Sequence, residues 1–283
     1  MPVHDAGRFL GACLDSLVRQ TLENVEFVCV DDGSTDGSGG ILDECAAKDG
    51  RFRVLHQERR GAGSARNAGL DMARGTYLFF CDSDDWCGTG LLKGLYERAE
   101  RTRADIVIAS TIKCEAETGR AVGCRRVSSW PRGVFSPDAC GERLFSISCH
   151  TVWDKLLRRD FVCNEGLRFQ EVPRFNDMLF CDLALALAKR LTTVRWARYH
   201  HRINRVGGIQ ESALSDGTDV LLPYQALREG LERRGLFERY GAAFEFARRE
   251  SVDHFCLGQA PRPAGFLRRL VRQVVPAYVR AAL

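Results

Sequence analysis

The stretch YLFFCDSDDW, residues 77–86, runs from an apolar segment into Asp82, Asp84 and Asp85 and then into a tryptophan. Carboxylates this close repel one another, and burying them without a counter-charge is costly. The cluster therefore implies that a positive group sits at the carboxyl end of a buried strand. The same pattern occurs earlier, where VEFVCV, residues 25–30, leads into DDGSTDGS. Around these runs, residues 6–20 place Phe9, Leu10, Cys13, Leu14, Leu17 and Val18 at helical spacing. Residues 41–48 read as a short helix and 51–56 as a second strand. The segment RRGAGSARNAG reads as a glycine-rich turn before a short helical stretch, and 76–81 as the strand feeding the aspartates. Leu91, Leu92, Leu95, Tyr96 and Ala99 form another helical stripe, followed by a strand over 105–109. Strands alternating with helical patterns predict an α/β fold: a Rossmann-like, mostly parallel sheet flanked by helices. Ligands bind such sheets beyond the carboxyl ends of the strands, where both acidic clusters fall.

Composition narrows the class. A chain of 283 residues with 45% hydrophobic content can bury a large core, as one domain or one domain with an appendage. The formal net charge is +4 with acids and bases interspersed, which does not suggest a nucleic-acid binder. The twelve cysteines are scattered without a C-x-x-C pair, so no zinc or redox motif is indicated. Cys29 and Cys81 lie inside apolar runs and read as small buried hydrophobes. No signal-peptide pattern is present, and no apolar run approaches the roughly 18 residues of a membrane span. The expected location is a reducing cytoplasm.

Asp82 and Asp84 form a D-x-D pair whose carboxylates project to one side when the segment is extended. That suits a hard divalent cation, although the pair also reads as a solvated acidic turn. VCVDDGSTDGS and GSARNAGL…ARGTYLFFCDSDDW occur in order, followed by VWDKLLRRDF, GLRFQEVPRFNDMLF and YHHRIN. Together they strongly resemble family 2 glycosyltransferases of the GT-A fold, over roughly residues 1–204. The resemblance implies a glycosyltransferase domain over 1–207, with a nucleotide-sugar half, 1–110, and an acceptor half, 111–207. A C-terminal helical extension, 208–283, would follow.

It also implies roles. Asp31 or Asp32 would contact the nucleobase or ribose of a nucleoside-diphosphate sugar, since a carboxylate accepts from an imide or from hydroxyls. Asp82 would face the ribose, Asp84 would ligate the metal, Mn2+ or Mg2+, and Asp85 would shape the donor pocket. Arg66 in SARNAG would lie on the donor side and pair with phosphate, or serve in a structural ion pair. Asp177 in RFNDMLF would be the general base that deprotonates the acceptor hydroxyl for inverting displacement. Its alternative is a cap on the following helix, with Glu171 as the nearby substitute base. His200, His201 and Arg202 would close over the diphosphate. Trp153 would pack beside Asp154, and Lys155 would approach the acceptor or phosphates.

Two features depart from the family pattern. Thr192 stands where processive synthases carry the glutamine of Q-x-x-R-W, ahead of Arg195 and Trp196, so transfer of a single sugar is favoured. The family's apolar first strand leads into a PVYN-like turn, whereas Met1 is followed at once by Pro2, Val3, His4 and Asp5. A truncated first strand is therefore expected. An upstream start is favoured over a damaged copy or a sheet that tolerates the gap.

Beyond residue 207, helices are expected over 221–236 and 240–257. Phe266, Leu267, Leu270, Val271, Val274, Val275, Tyr278 and Val279 then repeat at helical spacing among Arg268, Arg269, Arg272 and Arg280, with Pro276 as a kink. Such a basic amphipathic segment suits an anionic membrane surface, or packing on the protein's own core. The expectation is a metal-dependent, inverting glycosyltransferase at the inner face of the membrane, using a UDP-linked or similar nucleotide-diphosphate sugar. The acceptor would be a glycan or lipid-linked intermediate of a cell-surface polysaccharide. The alternatives are an inactive nucleotide-sugar-binding scaffold and a sugar nucleotidyltransferase. The latter is disfavoured because no early glycine-rich, Lys- or Arg-bearing loop is present.

Overall fold

β-Branched and apolar runs become strands, and amphipathic stretches pack over them. The computed structural model describes residues 1–252 except 126, 128–129, 147–149 and 204–219. β1 (Pro2–Val3), β2 (Phe27–Asp32) and β3 (Phe52–Gln57) form a parallel three-stranded sheet in that order. Helices α1 (Gly7–Val18), α2 (Ser38–Lys48) and α3 (Ala62–Met72) follow β1, β2 and β3 in turn. α1 buries Leu10, Cys13, Leu14 and Leu17, the expected apolar face.

A second sheet is built on β6 (Ile106–Glu115) and β10 (Leu191–Ile203), which pair in parallel from Leu191 with Ile106 to Ile203 with Glu115. β4 (Tyr77–Phe79) and β9 (Lys155–Arg158) extend it antiparallel on one side, giving the order β4-β9-β6-β10-β5 with β5 (Trp86–Cys87). β7 (Ala121–Arg125) pairs with β6 and β8 (Val134–Phe135) with β10. The strand expected over 105–109 thus runs on to Glu115, because β10 continues beside it. The glycine-rich segment read as a turn is mostly helix α3. β7, β8, β9 and β10 were not anticipated as strands.

Of the expected first strand, Pro2 and Val3 pair with Val30 and Asp31. The Met1 ammonium donates to the Val28 carbonyl at 2.8 Å. No ladder joins β2 to β4; a cavity of about 540 Å³ lies between them, lined among others by Met1, Phe27, Cys29, Leu78 and Phe80. The sheets are joined instead by side chains. Val3, Leu10, Phe27, Leu92, Val107 and Trp153 share one apolar cluster that includes residues from α4 (Leu91–Thr102). A second cluster packs Leu78 and Ile106 against α5 (Arg159–Asn164), α6 (Met178–Leu187), α7 (Leu221–Arg233) and α8 (Phe237–Val252). α7 and α8 match the expected C-terminal helices as far as Val252, and the basic segment over 266–280 lies outside the described residues. Among the described residues no helix is long and apolar enough to cross a membrane.

Two glycines of α3 differ in what they allow. A Cβ on Gly63 would lie 1.9 Å from the Gln170 carbonyl oxygen, so helix and loop backbones touch there. A Cβ on Gly69 would meet Val30 Cγ2 at 3.6 Å, an ordinary contact. Gly63→Ala is expected to destabilise the fold by about 1–3 kcal/mol or more through overpacking. Gly69→Ala should stabilise it by up to about 1 kcal/mol through helix propensity. Urea unfolding of the two variants tests the contrast.

Candidate active site

The chain leaves β4 through Asp82, Asp84 and Asp85 and returns as β5, which pairs antiparallel with β10 at Trp86 and Cys87. That pairing brings the YHHRI stretch of β10 against the acidic loop. Asp85 is fully buried: its Oδ2 accepts from the Tyr199 hydroxyl at 2.7 Å and lies 3.2 Å from His201 Nδ1. Its Oδ1 accepts from the Arg202 backbone N–H at 2.7 Å. Burial pushes the Asp85 carboxyl up to about 7, with His201 opposing and the charges of Asp84 and Asp82 adding. Burial disfavours the charged His201 ring, but Asp85 outweighs it and His201 is raised.

Arg202 Nε donates to the Asp84 carbonyl at 2.6 Å, and its guanidinium lies 4.4 Å from the Trp86 ring and 4.8 Å from that of Phe9. His200 stacks on the other partner of this group, Trp86, at 4.8 Å. Trp153 stacks on Tyr199 and His201 at 5.1 and 4.7 Å, packing as expected. The HHR segment, expected to close over a diphosphate, is therefore occupied in holding the acidic loop.

Asp82, Asp84 and Asp85 each offer an oxygen, all within 4.8 Å of one another. Three converging carboxylates are the donor set that hard cations such as Mg2+ or Mn2+ take. Within the protein, Asp82 accepts from Arg66 at 2.7 Å and Asp85 meets His201. A divalent cation fits these residues.

Arg66 is buried on α3. It donates to Asp82 and to the Asn176 side-chain carbonyl, lies 5.6 Å from the Phe169 ring, and its Nε has no hydrogen-bond partner among the described residues. The neighbouring Asn67 donates to the Phe169 carbonyl at 3.0 Å and accepts from its N–H at 2.9 Å. α3 thus fixes the 169–177 segment against the acidic loop. Asp177 ends that segment at the start of α6, and its side chain makes no capping hydrogen bond, contrary to the capping alternative. Burial raises its carboxyl, Arg66 opposes this and Asp82 adds to it. Glu171 sits outside, 3.3 Å from Arg60 at an exposed position.

Asp31 and Asp32 close β2, both buried. Asp31 accepts from the Ser34 N–H at 3.1 Å and meets His56 Nδ1 at 2.9 Å. Asp32 accepts from Gln57 Nε2 and from the N–H groups of Arg60 and Gly61 at 2.7–2.8 Å. Both carboxylates organise the loops that rim the carboxyl edge of this sheet. Lys155, expected near acceptor or phosphates, is instead fully buried, its ammonium held by Asp154 at 2.7 Å and by the Thr151 carbonyl. Arg125 pairs with the same Asp154. Sequence reasoning missed Asn67, Asn176 and Tyr199. Asn67 had a usable signal, its place beside Arg66 in SARNAG.

A parallel sheet flanked by helices, continued into a mixed sheet with an acidic loop at a strand end, is the frame of a GT-A fold. Residues 1–162, more than half of the chain, match the family described as Glycosyl transferase family 2, and the chain belongs to that family. It is similar to EpsJ, an uncharacterized glycosyltransferase of Bacillus subtilis, with 34% identity over 209 residues, 72% of this chain and 60% of EpsJ. The chain thus spans well under two thirds of that relative. It is also similar to a poly(ribitol-phosphate) beta-glucosyltransferase of Bacillus spizizenii, 36% identical over 216 residues, 73% of this chain and 32% of the relative. Among solved structures, residues 1–349 of Staphylococcus aureus TarS in complex with UDP-GlcNAc align with a TM-score of 0.75 at 21% identity. That match covers 100% of this chain and 82% of TarS 1–349, and it establishes the shared fold.

Lys155→Met leaves the buried Asp154 carboxylate with one cation, Arg125, beside the Thr151 hydroxyl. Removing one partner of a buried ion pair costs about 3 kcal/mol or more. Chemical denaturation is expected to show that loss.

Proposed function

We propose that the chain transfers one sugar, with inversion, from a UDP-linked donor to a hydroxyl of a glycan or lipid-linked acceptor during assembly of a cell-surface polysaccharide. The observation that carries this reading is Arg66, which ties the Asp82 side of the acidic loop to the segment bearing Asp177. Asp84, with Asp82 and Asp85, would hold Mn2+ or Mg2+. A bound cation supplies neutralisation of the charge that develops on a diphosphate leaving group.

Asp177 takes the proton from the acceptor hydroxyl; half-buried and uncapped, it has a lone pair to use, and its raised pKa strengthens it as a base. Arg66 keeps Asp82 and the Asp177 segment in register and offers its remaining N–H to the donor side. Asp31 and Asp32 act on the nucleotide side through the loops they hold. On this reading residues 1–110 form the nucleotide-sugar half, 111–207 the acceptor half, and 208–283 a helical extension. The UDP-GlcNAc bound by TarS supports a uridine nucleotide, and the polymer named for the Bacillus spizizenii relative supports an envelope acceptor. The enzyme would work on the cytoplasmic side, docked peripherally at the membrane.

Calorimetric titration of UDP with and without manganese tests the donor half. Manganese-dependent binding is expected, weakened about tenfold or more in folded Asp84→Ala through loss of a charged ligand. UDP binding without turnover on any acceptor would instead mark a scaffold, and pyrophosphate release from a sugar phosphate and a nucleoside triphosphate would mark a nucleotidyltransferase.

The base gives a separate test. Asp177→Asn is expected to lower kcat by about 100-fold or more while UDP affinity holds. Only the ionised carboxylate accepts the proton, and its pKa is raised. Activity should therefore fall as pH drops through a midpoint above the ordinary aspartate value of about 3.9, and the pH–rate profile measures that midpoint.

A further inference from the structure

Arg98 and Arg101 from α4, Arg132 from the approach to β8, and Arg195 from β10 line one surface pocket of about 380 Å³, walled by Trp196. Gly133, Thr193 and Val194 complete the lining, and no acidic side chain contributes to it. Among the described residues none of the four arginines enters an ion pair. Guanidinium groups gathered without counter-charge repel one another, so this concentration is relieved by an anion from outside.

The pocket is held in shape. Arg98 donates from Nε and NH2 to Thr192 Oγ1 at 3.1 and 2.7 Å. The buried Thr192 hydroxyl donates in turn to the Gly133 carbonyl at 2.7 Å, linking α4, β10 and the segment before β8. A Cβ on Gly94 would lie 2.6 Å from Trp196 Cζ2, so α4 packs directly under the indole. Arg198 lies 5.7 Å from the same ring. Between Ala197 and Arg202 β10 advances past four residues of β6, Ser110 to Cys114, roughly 13 Å at about 3.3 Å per residue, so the pocket and the Arg202 end of the acidic loop lie at different heights along the strand.

We propose that this pocket is a second anion site that binds phosphate esters, taking two or more phosphate groups of one soluble chain. The planar guanidinium fork matches phosphate oxygens two at a time; with Arg98 engaged by Thr192, the three forks of Arg101, Arg132 and Arg195 still exceed what one phosphate group uses. Four arginines gathered at one open pocket beside a half-buried indole, with no exposed apolar stripe in the lining, suit a compact polyphosphate better than a lipid surface. The inference stands independently of the sugar-transfer reading, since none of these residues belongs to the proposed donor or base machinery.

The test is calorimetric titration of the full chain with sodium tripolyphosphate in a chelating buffer, at low and at physiological salt. Binding is expected that weakens with salt. It should fall about tenfold or more in Arg101→Glu/Arg195→Glu and fall less in Arg101→Lys/Arg195→Lys, which keeps the charge and loses the forks. Arg101 and Arg195 are exposed, and circular dichroism confirms that each variant is folded. Asp84→Ala should bind tripolyphosphate as the parent does. No binding by the parent protein, or equal affinity in the folded Glu variant, overturns the proposal. So does a third outcome: sedimentation with phosphatidylglycerol vesicles that the Glu pair abolishes while tripolyphosphate binding is absent, which would make the pocket a membrane contact.

Discussion

A guanidinium shut off from solvent needs negative or accepting partners wherever its N–H groups point, and Arg66, 8% exposed, draws them from separate parts of the chain. Burial works against its charge; Asp82 and Asp177 outweigh that and hold it protonated. Asp82 comes from the loop after β4, while Asn176 and Asp177 come from the start of α6, about a hundred residues further on. A buried ion pair is weak evidence of stability, since desolvation offsets its attraction. What it fixes is geometry. Moving any one of the three segments would strand a charge, so the cleft has a preferred shape before any ligand arrives.

The aspartates of the acidic loop pose the complementary problem, which β10 solves for the innermost of them. Tyr199, His201 and the Arg202 backbone all reach Asp85, and the same strand end stacks its aromatic rings against Trp86 and Trp153. This gives the last residues of β10, a 13-residue strand that pairs with β6 from Leu191 to Ile203, a second task beside the acidic loop. Its first half belongs to the fold and its second half to the site. Asp82 and Asp84 remain half-buried, with oxygens within 4.8 Å of each other and of Asp85.

The parallel frame was legible because apolar runs and helical stripes alternate in order, and β2 and β3 lie within two residues of where the pattern puts them. β2 nevertheless continues through Asp31 and Asp32, which hydropathy assigns to a loop. Both are buried by hydrogen bonds to residues that a local window does not see. The glycines of GAGSARNAG suggest a turn, yet Gly63 serves close packing inside a helix rather than backbone freedom. β9 is four residues of a sheet whose partners lie far away in sequence, so no periodicity announces it. In the site, the acidic loop and Asp177 could be singled out as motif residues. Asn176 and Tyr199 could not, because their work lies in contacts more than a hundred residues distant. Lys155 was misread for the same reason: only the fold reveals that its charge is consumed internally.

Between β4 and β2, whose Val30 and Asp31 already pair with β1, lies a cavity with no ladder across it. Cooperativity in a sheet travels along its hydrogen bonds, and here that path is interrupted while the apolar cluster remains continuous. The two sheets are therefore coupled through packed side chains rather than through a shared hydrogen-bonded ladder, so a core substitution in that cluster would loosen one sheet against the other before it disturbed the pairing within either.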